Sequence, residues 1–327
     1  MTTTYRVDTV HPTGYSHVLD EFVHLLSNGK HNVRPSGYCR EPGDYGATMR
    51  CNLLTHLSFV ALLLAGLLNA QSTTTIQGEA QSSGNRVAAS ETSDTDARPI
   101  FVELFTSEGC SSCPPADALL QQMDATPHFA GGQLIVLSEH VNYWDHDGWK
   151  DPNSSAQLTE RQAAYVRALR LKEPYTPQLI VDGTREMSAN DPQQIDKILR
   201  EAASTPTIPV RIGETSVDAG NPMVVRMHIA ADGSSDKRNA DVYVAVALDR
   251  VESQVLYGEN GGRHLTHVAV VVELKKVGKL SRGKSFDDVI QLKLKPGLDP
   301  KNVRFVAFVQ EPGAGKLLGA ALRKPAN

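Results

Sequence analysis

The sequence predicts an α/β domain followed by an all-β domain of the sandwich type. Across residues 99–206 short apolar strands alternate with helical segments, whereas residues 207–327 show strands separated by turn signals. A Cys-x-x-Cys motif, Cys110 to Cys113, stands where the first strand ends and the first helix begins. Such a motif at a strand–helix junction within a β/α pattern predicts a thioredoxin-like domain with a redox-active cysteine pair.

Length and composition set the limits of this prediction. The 327 residues allow about two domains, and the hydrophobic content of 40% is that of an ordinary globular protein. The formal net charge is −4 and the sequence has no basic arm or patch, which argues against a nucleic-acid partner. We expect no cofactor besides the cysteine pair.

An apolar run over residues 53–68 follows a Met-Arg pair and ends just before a small residue, Ala70. This order predicts a signal peptide over residues 49–70, and the run is short for a stable membrane span, which needs about 20 residues. Signal peptides begin at the start of a chain, so we interpret residues 1–48 as a mis-called extension before a true start at Met49. The alternative is a tail that precedes a signal anchor.

Cleavage after the signal would remove Cys39 and Cys51 and leave Cys110 and Cys113 as the remaining cysteines. We therefore expect a periplasmic or secreted protein, in a compartment where disulfides persist. The exported pair is then either a small structural clip or a redox pair. Residues 71–98 carry almost no large apolar side chains and predict a disordered linker.

The elements of the α/β domain follow from apolar runs, caps and turns. Ser154 or Ser155 is expected to cap the second helix, with Arg161 on an outer position, and Asp191 is expected to cap the third. The predicted order is a strand at 100–106, a helix at 114–124, a strand at 133–140, a helix at about 154–171, strands at 178–183 and 184–187, and a helix at 192–203.

The second domain is predicted from period-two alternation between turn signals. Asp-Gly, Gly-Gly and Pro-Gly pairs separate these runs, which is typical of a β-sandwich. The predicted strands lie at 223–230, 240–248, 265–274, 286–294, 303–310 and 316–322.

The cysteine pair is the main candidate site. Cys110 is expected to be the exposed nucleophile that attacks a client disulfide, and Cys113 the thiol that resolves the mixed disulfide. A helix N-terminus lowers a thiol pKa, because the positive end of the dipole favours the thiolate. The expected partners are protein or peptide thiols and disulfides, together with an unknown redox partner. The pair alone also allows a structural disulfide or half of a metal site.

His140 ends the strand that is expected beside the redox strand. It can take the thiol proton or stabilise the thiolate, or it can be a histidine that bonds only to the loop backbone. Further along, Thr176-Pro177 enters an apolar strand, which is the position that a cis-proline takes beside a redox pair in thioredoxin-like folds. We expect Pro177 to take part in catalysis, although most X-Pro bonds are trans.

Aromatic residues near these positions are candidates for substrate binding. Tyr143 and Trp144 lie in a loop after the second strand, and Tyr175 with Thr176 precedes the proline. The alternative for this loop, favoured for Trp149, is that its tryptophans cover the interface with the second domain.

Two alternative functions belong to other classes. A copper- or zinc-handling protein would use Cys110, Cys113 and His140 as ligands, because thiolates and imidazole suit these ions. A binding module would keep the fold without catalysis. His264 and His267 are three residues apart on a strand, which places them on opposite faces and favours structural roles.

Several longer motifs occur along the chain: the Phe-Thr-Ser-Glu-Gly-Cys-Ser-Ser-Cys-Pro-Pro-Ala-Asp run of 105–117, His140–Asp145, Gly148–Pro152, Arg161-Gln162, Tyr175–Gln178 and Asn260–His267. Together they resemble a bacterial exported family of unknown function that has a thioredoxin-like domain. The resemblance covers residues 99–323 and implies that fold and an envelope location, without a known substrate.

Overall fold

The structure is a computed structural model that describes residues 97–220 and 222–324. The predictions for residues 1–48, 49–70 and most of 71–98 lie outside the described residues. The helices are α1 (Pro114–Ala125), α2 (Ala156–Ala168) and α3 (Pro192–Ala203). The strands are β1 (Arg98–Thr106), β2 (His128–Phe129), β3 (Gly132–His140), β4 (Gln178–Val181), β5 (Arg185–Ser188), β6 (Val210–Asp218), β7 (Val224–Ala231), β8 (Ala240–Gln254), β9 (His264–Leu280), β10 (Phe286–Lys293), β11 (Val303–Gln310) and β12 (Leu317–Arg323).

A nine-stranded mixed sheet runs through the described part of the chain. Its strand order is β12-β11-β8-β9-β3-β1-β4-β5, with β2 paired to β3. β1 and β3 are parallel, whereas β4 is antiparallel to both β1 and β5. β9 joins β3 in parallel at the pair Ser138 and Val270. A second, three-stranded sheet has the order β10-β7-β6.

The pattern of secondary structure before residue 206 differs from the pattern after it. Before it the order is β-α-β-β-α-β-β-α, and after it the strands pair antiparallel with one another. The sheet nevertheless continues across this point, because β9 pairs with β3, and the described residues belong to one compact unit. The alternation of apolar and polar residues along a strand predicts which face is buried, but it does not predict which strand lies beside it. The sequence therefore did not predict the pairing of β9 with β3.

The core lies on both faces of β1. Val102 and Leu104 pack in a cluster with Leu119 of α1. Phe101 points the other way, and its ring lies 4.9 Å from the ring of Phe308 in β11. Because successive side chains of a strand alternate between faces, β1 is buried on both. The second sheet covers the large one farther along the chain, where side chains of β7, β8 and β11 share one apolar cluster.

The predicted capping residues of α2 and α3 are confirmed. The side chain of Ser155 accepts a hydrogen bond from the Gln157 N–H, and that of Asp191 accepts one from the Gln194 N–H. The predicted strand bounds of β8 and β9 were too short, because both strands continue through polar residues beyond their apolar runs. Because of this extra length, the connection between β8 and β9 reaches the cysteine loop.

Candidate functional site

Three segments meet at one edge of the large sheet. Thr106 at the end of β1 pairs with His140 at the end of β3, and Phe105 pairs with Gln178 at the start of β4. Parallel strands end at the same edge, and an antiparallel neighbour begins there. The loop with the cysteines, the loop after β3 and the Thr176-Pro177 segment therefore share this edge.

Cys110 and Cys113 form a disulfide at the start of α1, with their Cα atoms 5.4 Å apart. Cys113 is the N-cap residue, and its carbonyl accepts hydrogen bonds from the N–H groups of Ala116 and Asp117 at 2.9 and 3.0 Å. The Cys110 Sγ lies 3.4 Å from the Ser112 Oγ. A thiolate formed here on reduction would face the positive end of the helix and a hydroxyl donor.

The prediction that Cys110 is exposed is wrong. Both cysteines are 0% exposed, whereas Ser111 and Ser112 between them are exposed. Gly109 lies against Trp144, because a Cβ at Gly109 would come within 3.1 Å of the Trp144 Cβ. The sulfur is thus covered by surrounding residues, and a molecule in solution can reach it only if this cover opens locally.

The connection between β8 and β9 holds the cysteine loop from another side. The Asn260 Nδ2 donates hydrogen bonds to the carbonyl oxygens of Glu108 and Cys110, at 2.8 and 2.9 Å. The Glu259 carboxylate accepts a hydrogen bond from the Ser111 N–H at 3.2 Å, and hydrogen bonding to the Ser111 side chain, followed by this N–H, lowers the pKa of Glu259. A segment about 150 residues away in sequence therefore fixes the backbone on both sides of Cys110.

His140 is buried at the end of β3, and its Nδ1 lies 2.7 Å from the Asp151 Oδ2. Burial opposes the charged imidazolium, but Asp151, with Asp117 and Glu108 behind it, raises the pKa of His140. Burial likewise opposes the ionised Asp151, yet His140 and two backbone N–H groups lower the pKa of Asp151 to about 2. His140 thus forms a buried hydrogen-bonded pair with Asp151, and its ring packs edge-on against His267, with the ring centroids 4.7 Å apart.

Glu108 is a hub of buried hydrogen bonds beside this pair. Its carboxylate accepts from the Trp149 Nε1 at 2.8 Å, the Ser253 Oγ at 3.0 Å and the Asn153 Nδ2 at 3.3 Å. Trp149 also contacts Gly258, whose Cβ position would lie 3.2 Å from the Trp149 Cβ. Trp149 therefore covers the β8–β9 connection, as the alternative for the aromatic loop proposed.

The other aromatic candidates surround the proline. Thr176-Pro177 has a cis peptide bond, and Pro177 is buried. The Trp144 Nε1 donates a hydrogen bond to the Thr176 Oγ1 at 2.7 Å, so this ring links the proline segment to Gly109. Tyr143 lies beside Trp144, with the ring centroids 6.3 Å apart.

Tyr175 points away from this group of side chains. Its hydroxyl donates to the Glu186 carboxylate on β5, and its carbonyl accepts from the Gln162 Nε2 at 2.8 Å. Burial, together with Glu186, raises the pKa of Tyr175. The side chain of Tyr175 is therefore engaged by β5, whereas Tyr143, Trp144 and Thr176 lie together beside the cysteine loop.

A second buried ionic group lies under α2. Arg161, predicted on an outer position, has a side chain that is only 8% exposed and contacts the carboxylates of Glu103 and Glu139. Burial first, and then Glu103, raises the pKa of Glu139 well above its ordinary value. The prediction for Arg161 failed because β11 covers this face of α2: the Arg161 guanidinium also bonds to Gln310.

Within residues 97–220 and 222–324, no group of three or more His, Cys, Asp or Glu side chains has a geometry that could hold a metal ion. The proposed ligands Cys110 and Cys113 are bonded to each other, and His140 is bonded to Asp151. In the same described segments, no helix is long and apolar enough to cross a membrane.

Sequence reasoning assigned no role in the site to Glu108, Asp117 or Asn260, and it left His267 in a structural role. The structure brings all four next to the cysteine loop. His267 is buried and His264 is exposed, so the expectation of opposite faces is confirmed. The available signal was the Asn-Gly-Gly-Arg motif before these histidines, but nothing in the sequence linked it to the cysteines.

The fold and the site define a mixed-sheet α/β protein with a buried Cys-x-x-Cys disulfide at the start of a helix. The chain belongs to the family described as "Protein of unknown function (DUF1223)", which matches residues 101–310. Membership in a family of unknown function was the prediction from the motifs. No curated protein matches the chain significantly.

Two solved structures are similar to this chain. A structural genomics target protein from Agrobacterium tumefaciens shares 27% identity over 71% of this chain and 96% of its own, with a TM-score of 0.54. HBP35 of Porphyromonas gingivalis shares 16% identity over 70% of this chain and 75% of its own, also with a TM-score of 0.54. The second likeness concerns the fold alone.

Proposed function

We propose that this protein is an exported thiol–disulfide oxidoreductase with a thioredoxin-like domain, acting on client proteins or peptides in the periplasm or outside the cell. The observation that carries the proposal is the Cys110–Cys113 disulfide at the N-terminus of α1, at the same sheet edge as the cis Thr176-Pro177 bond. The strand order β3-β1-β4-β5, with α1 between β1 and β3 and α2 between β3 and β4 along the chain, supports the thioredoxin-like assignment.

The chemistry follows from the two sulfur atoms. In the reduced protein the Cys110 thiolate attacks one sulfur of a client disulfide, that S–S bond breaks, and the other client sulfur leaves as a thiolate. The Cys113 thiolate then attacks the Cys110 sulfur, which releases the second client thiolate and closes the Cys110–Cys113 disulfide. Two electrons pass from the pair to the client, and a dithiol partner returns them. Oxidation of a client dithiol is the same sequence in reverse.

Other residues of this edge would bind the client. Trp144, Tyr143 and Thr176 form a partly exposed group beside the cysteine loop. An extended peptide could lie along these side chains, since aromatic rings contribute apolar contact at little entropic cost. The burial of Cys110 implies that client binding is coupled to local opening of the loop that Asn260 holds.

Turnover of a model disulfide tests this function. We expect the full-length protein, supplied with a small dithiol, to reduce insulin or a disulfide peptide, and Cys110→Ser to abolish that activity because the attacking thiolate is gone. Cys51→Ser, which changes a cysteine outside this pair, should leave turnover unchanged. Disulfide turnover that survives Cys110→Ser, or no turnover in the unaltered protein in either direction, would contradict the proposal.

A further inference from the structure

The imidazole of His267 lies buried between two carboxylates. Its Nε2 is 3.8 Å from the Glu108 Oε1, and its Nδ1 is 3.6 Å from the Asp117 Oδ1. These separations are too long for hydrogen bonds. Both ring nitrogens of His267 and both carboxylate oxygens of Asp117 are buried without a hydrogen-bond partner in the described part of the chain.

Burying polar atoms without hydrogen bonds destabilises a fold. A buried polar atom without a partner costs about 1–3 kcal/mol, and most buried polar groups in proteins are paired. The neighbouring Glu108 is paired in the usual way, because its carboxylate accepts hydrogen bonds from three donors. Asp117 and His267 therefore form a buried pair that lacks the fixed hydrogen bonds of a structural role.

Helix geometry connects this pair to the redox disulfide. Cys113 has right-handed helical backbone angles, and the Asp117 N–H donates to its carbonyl at 3.0 Å. Residues four apart on a helix lie on the same face, with Cβ atoms about 5–6 Å apart. Cys113 and Asp117 are both buried, and Asp117 is the acidic residue of α1 that stands one helical turn from Cys113.

We propose that Asp117 and His267 form an internal proton relay for the Cys113 thiol. This inference rests on the proposed function. When Cys113 resolves a mixed disulfide, its S–H proton passes to the relay and its sulfur bonds to the Cys110 sulfur. The bond from Cys110 to the client breaks, and the client sulfur leaves as a thiolate with the bonding electron pair. The proton then rests on His267, where Asp117 and Glu108 flank the imidazolium. When the pair is reduced, the proton returns to Cys113.

The charged groups around His267 suit this role. Asp117 faces it from α1 and Glu108 from the loop after β1. The His140 ring faces it from the end of β3, and Asp151 balances the charge of His140. His267 itself comes from β9, so the relay is complete only because β9 joins β3 in the large sheet.

The thiol titration of Cys113 tests the relay without a client. In full-length protein that carries Cys39→Ser, Cys51→Ser and Cys110→Ser, Cys113 is the remaining cysteine, and its thiolate absorbance near 240 nm is followed against pH. Adding His267→Gln removes the group that would take the Cys113 proton and stabilise the thiolate, and it should raise the Cys113 midpoint by about one pH unit or more. Adding Asp117→Asn removes an anion and should lower the midpoint by a similar amount. In protein with both cysteines, each variant should also slow release of a client peptide from the mixed disulfide at least about 10-fold.

The matched control is His228→Gln, because His228 also pairs with an aspartate, Asp287, but on the exposed face of the second sheet. In the same three-serine background, its titration should match that of the background protein alone. Unchanged midpoints in both relay variants, with folding verified by circular dichroism, would overturn the relay; if one variant fails to fold, the other decides. Shifted midpoints without any client turnover would instead leave the relay standing and reject the proposed oxidoreductase activity.

Discussion

We expect the replacement of Arg161 by methionine to lower the free energy of unfolding by about 3–5 kcal/mol, because it removes one partner from a buried ionic group. The side chains of Glu103 and Glu139 are 0% exposed, and the Arg161 guanidinium contacts both. Without it, two acidic groups remain buried side by side. Methionine keeps the apolar contacts of the stem, so the loss reports mainly on the charge.

The same substitution also loosens the junction of the two parts of the sheet. Arg161 and Tyr165 of α2 both bond to Gln310 of β11, and the guanidinium lies 5.9 Å from the Tyr243 ring centroid of β8 and 5.3 Å from that of Phe308. These contacts cross from the α/β segment to the antiparallel strands. We therefore expect the loss to appear in one cooperative unfolding transition rather than as local fraying.

Two controls define this result in urea denaturation at pH 7. Arg185→Met breaks an ion pair with Glu201 whose side chains are 49% and 43% exposed, and it should cost at most about 1 kcal/mol. Glu139→Gln should also cost less than about 1 kcal/mol, because burial and Glu103 raise the pKa of Glu139 and favour its neutral form. An Arg161→Met protein as stable as the Arg185→Met protein would refute the role of this group.

The second large effect concerns Asp151, and it depends on pH. The pKa of Asp151 is lowered from 3.8 to about 2 in the folded protein, where His140 and the backbone outweigh the effect of burial. A lowered acid pKa stabilises the fold above the unfolded pKa, and this contribution is lost as the pH falls through the folded value. The difference corresponds to about 2 kcal/mol.

The titration of His140 sets the upper limit of the pH range in which the Asp151 carboxylate stabilises the fold. Its pKa is raised above 6.5, so its contribution is complete below the unfolded pKa and is lost as the pH rises through the folded value. Asp151→Asn should therefore destabilise the protein most near pH 5, by about 2 kcal/mol or more. The deficit should shrink as the pH falls from about 4 to 2, and also above the raised pKa of His140.

Urea denaturation of the two proteins from pH 2 to 9 measures this window. The exposed pair of His228 and Asp287 supplies the control, because Asp287→Asn removes an aspartate that is 70% exposed and should change stability little at any pH. A deficit in Asp151→Asn that is the same at every pH would show that the Asp151 carboxylate acts only through its backbone hydrogen bonds.

The sequence predicted what depends on neighbouring residues. The strand before Cys110, the helix after Cys113 and the capping residues Ser155 and Asp191 all follow from local patterns, and the structure shows each of them. A Pro that enters an apolar strand likewise suggested the cis bond at Thr176-Pro177.

What the sequence did not predict depends on contacts between distant residues. Asn260 bonds to the carbonyl of Cys110 across 150 positions, and His267 meets Asp117 through the pairing of β9 with β3. Arg161 looked like a surface residue because the helical period alone could not reveal that β11 covers α2. Hydrophobic pattern identifies buried faces, whereas the partner of a face depends on topology.

The most direct test of the central claim, that Cys110 and Cys113 exchange disulfides with clients, is a trap made by Cys113→Ala in cells that express the full chain. Without the resolving thiol, Cys110 should retain clients as mixed disulfides that dithiothreitol releases and that are absent from the Cys110→Ser, Cys113→Ala double variant. If no covalent adducts form, the cysteines are not the working site. Partners that the double variant retains equally would identify a binding module instead.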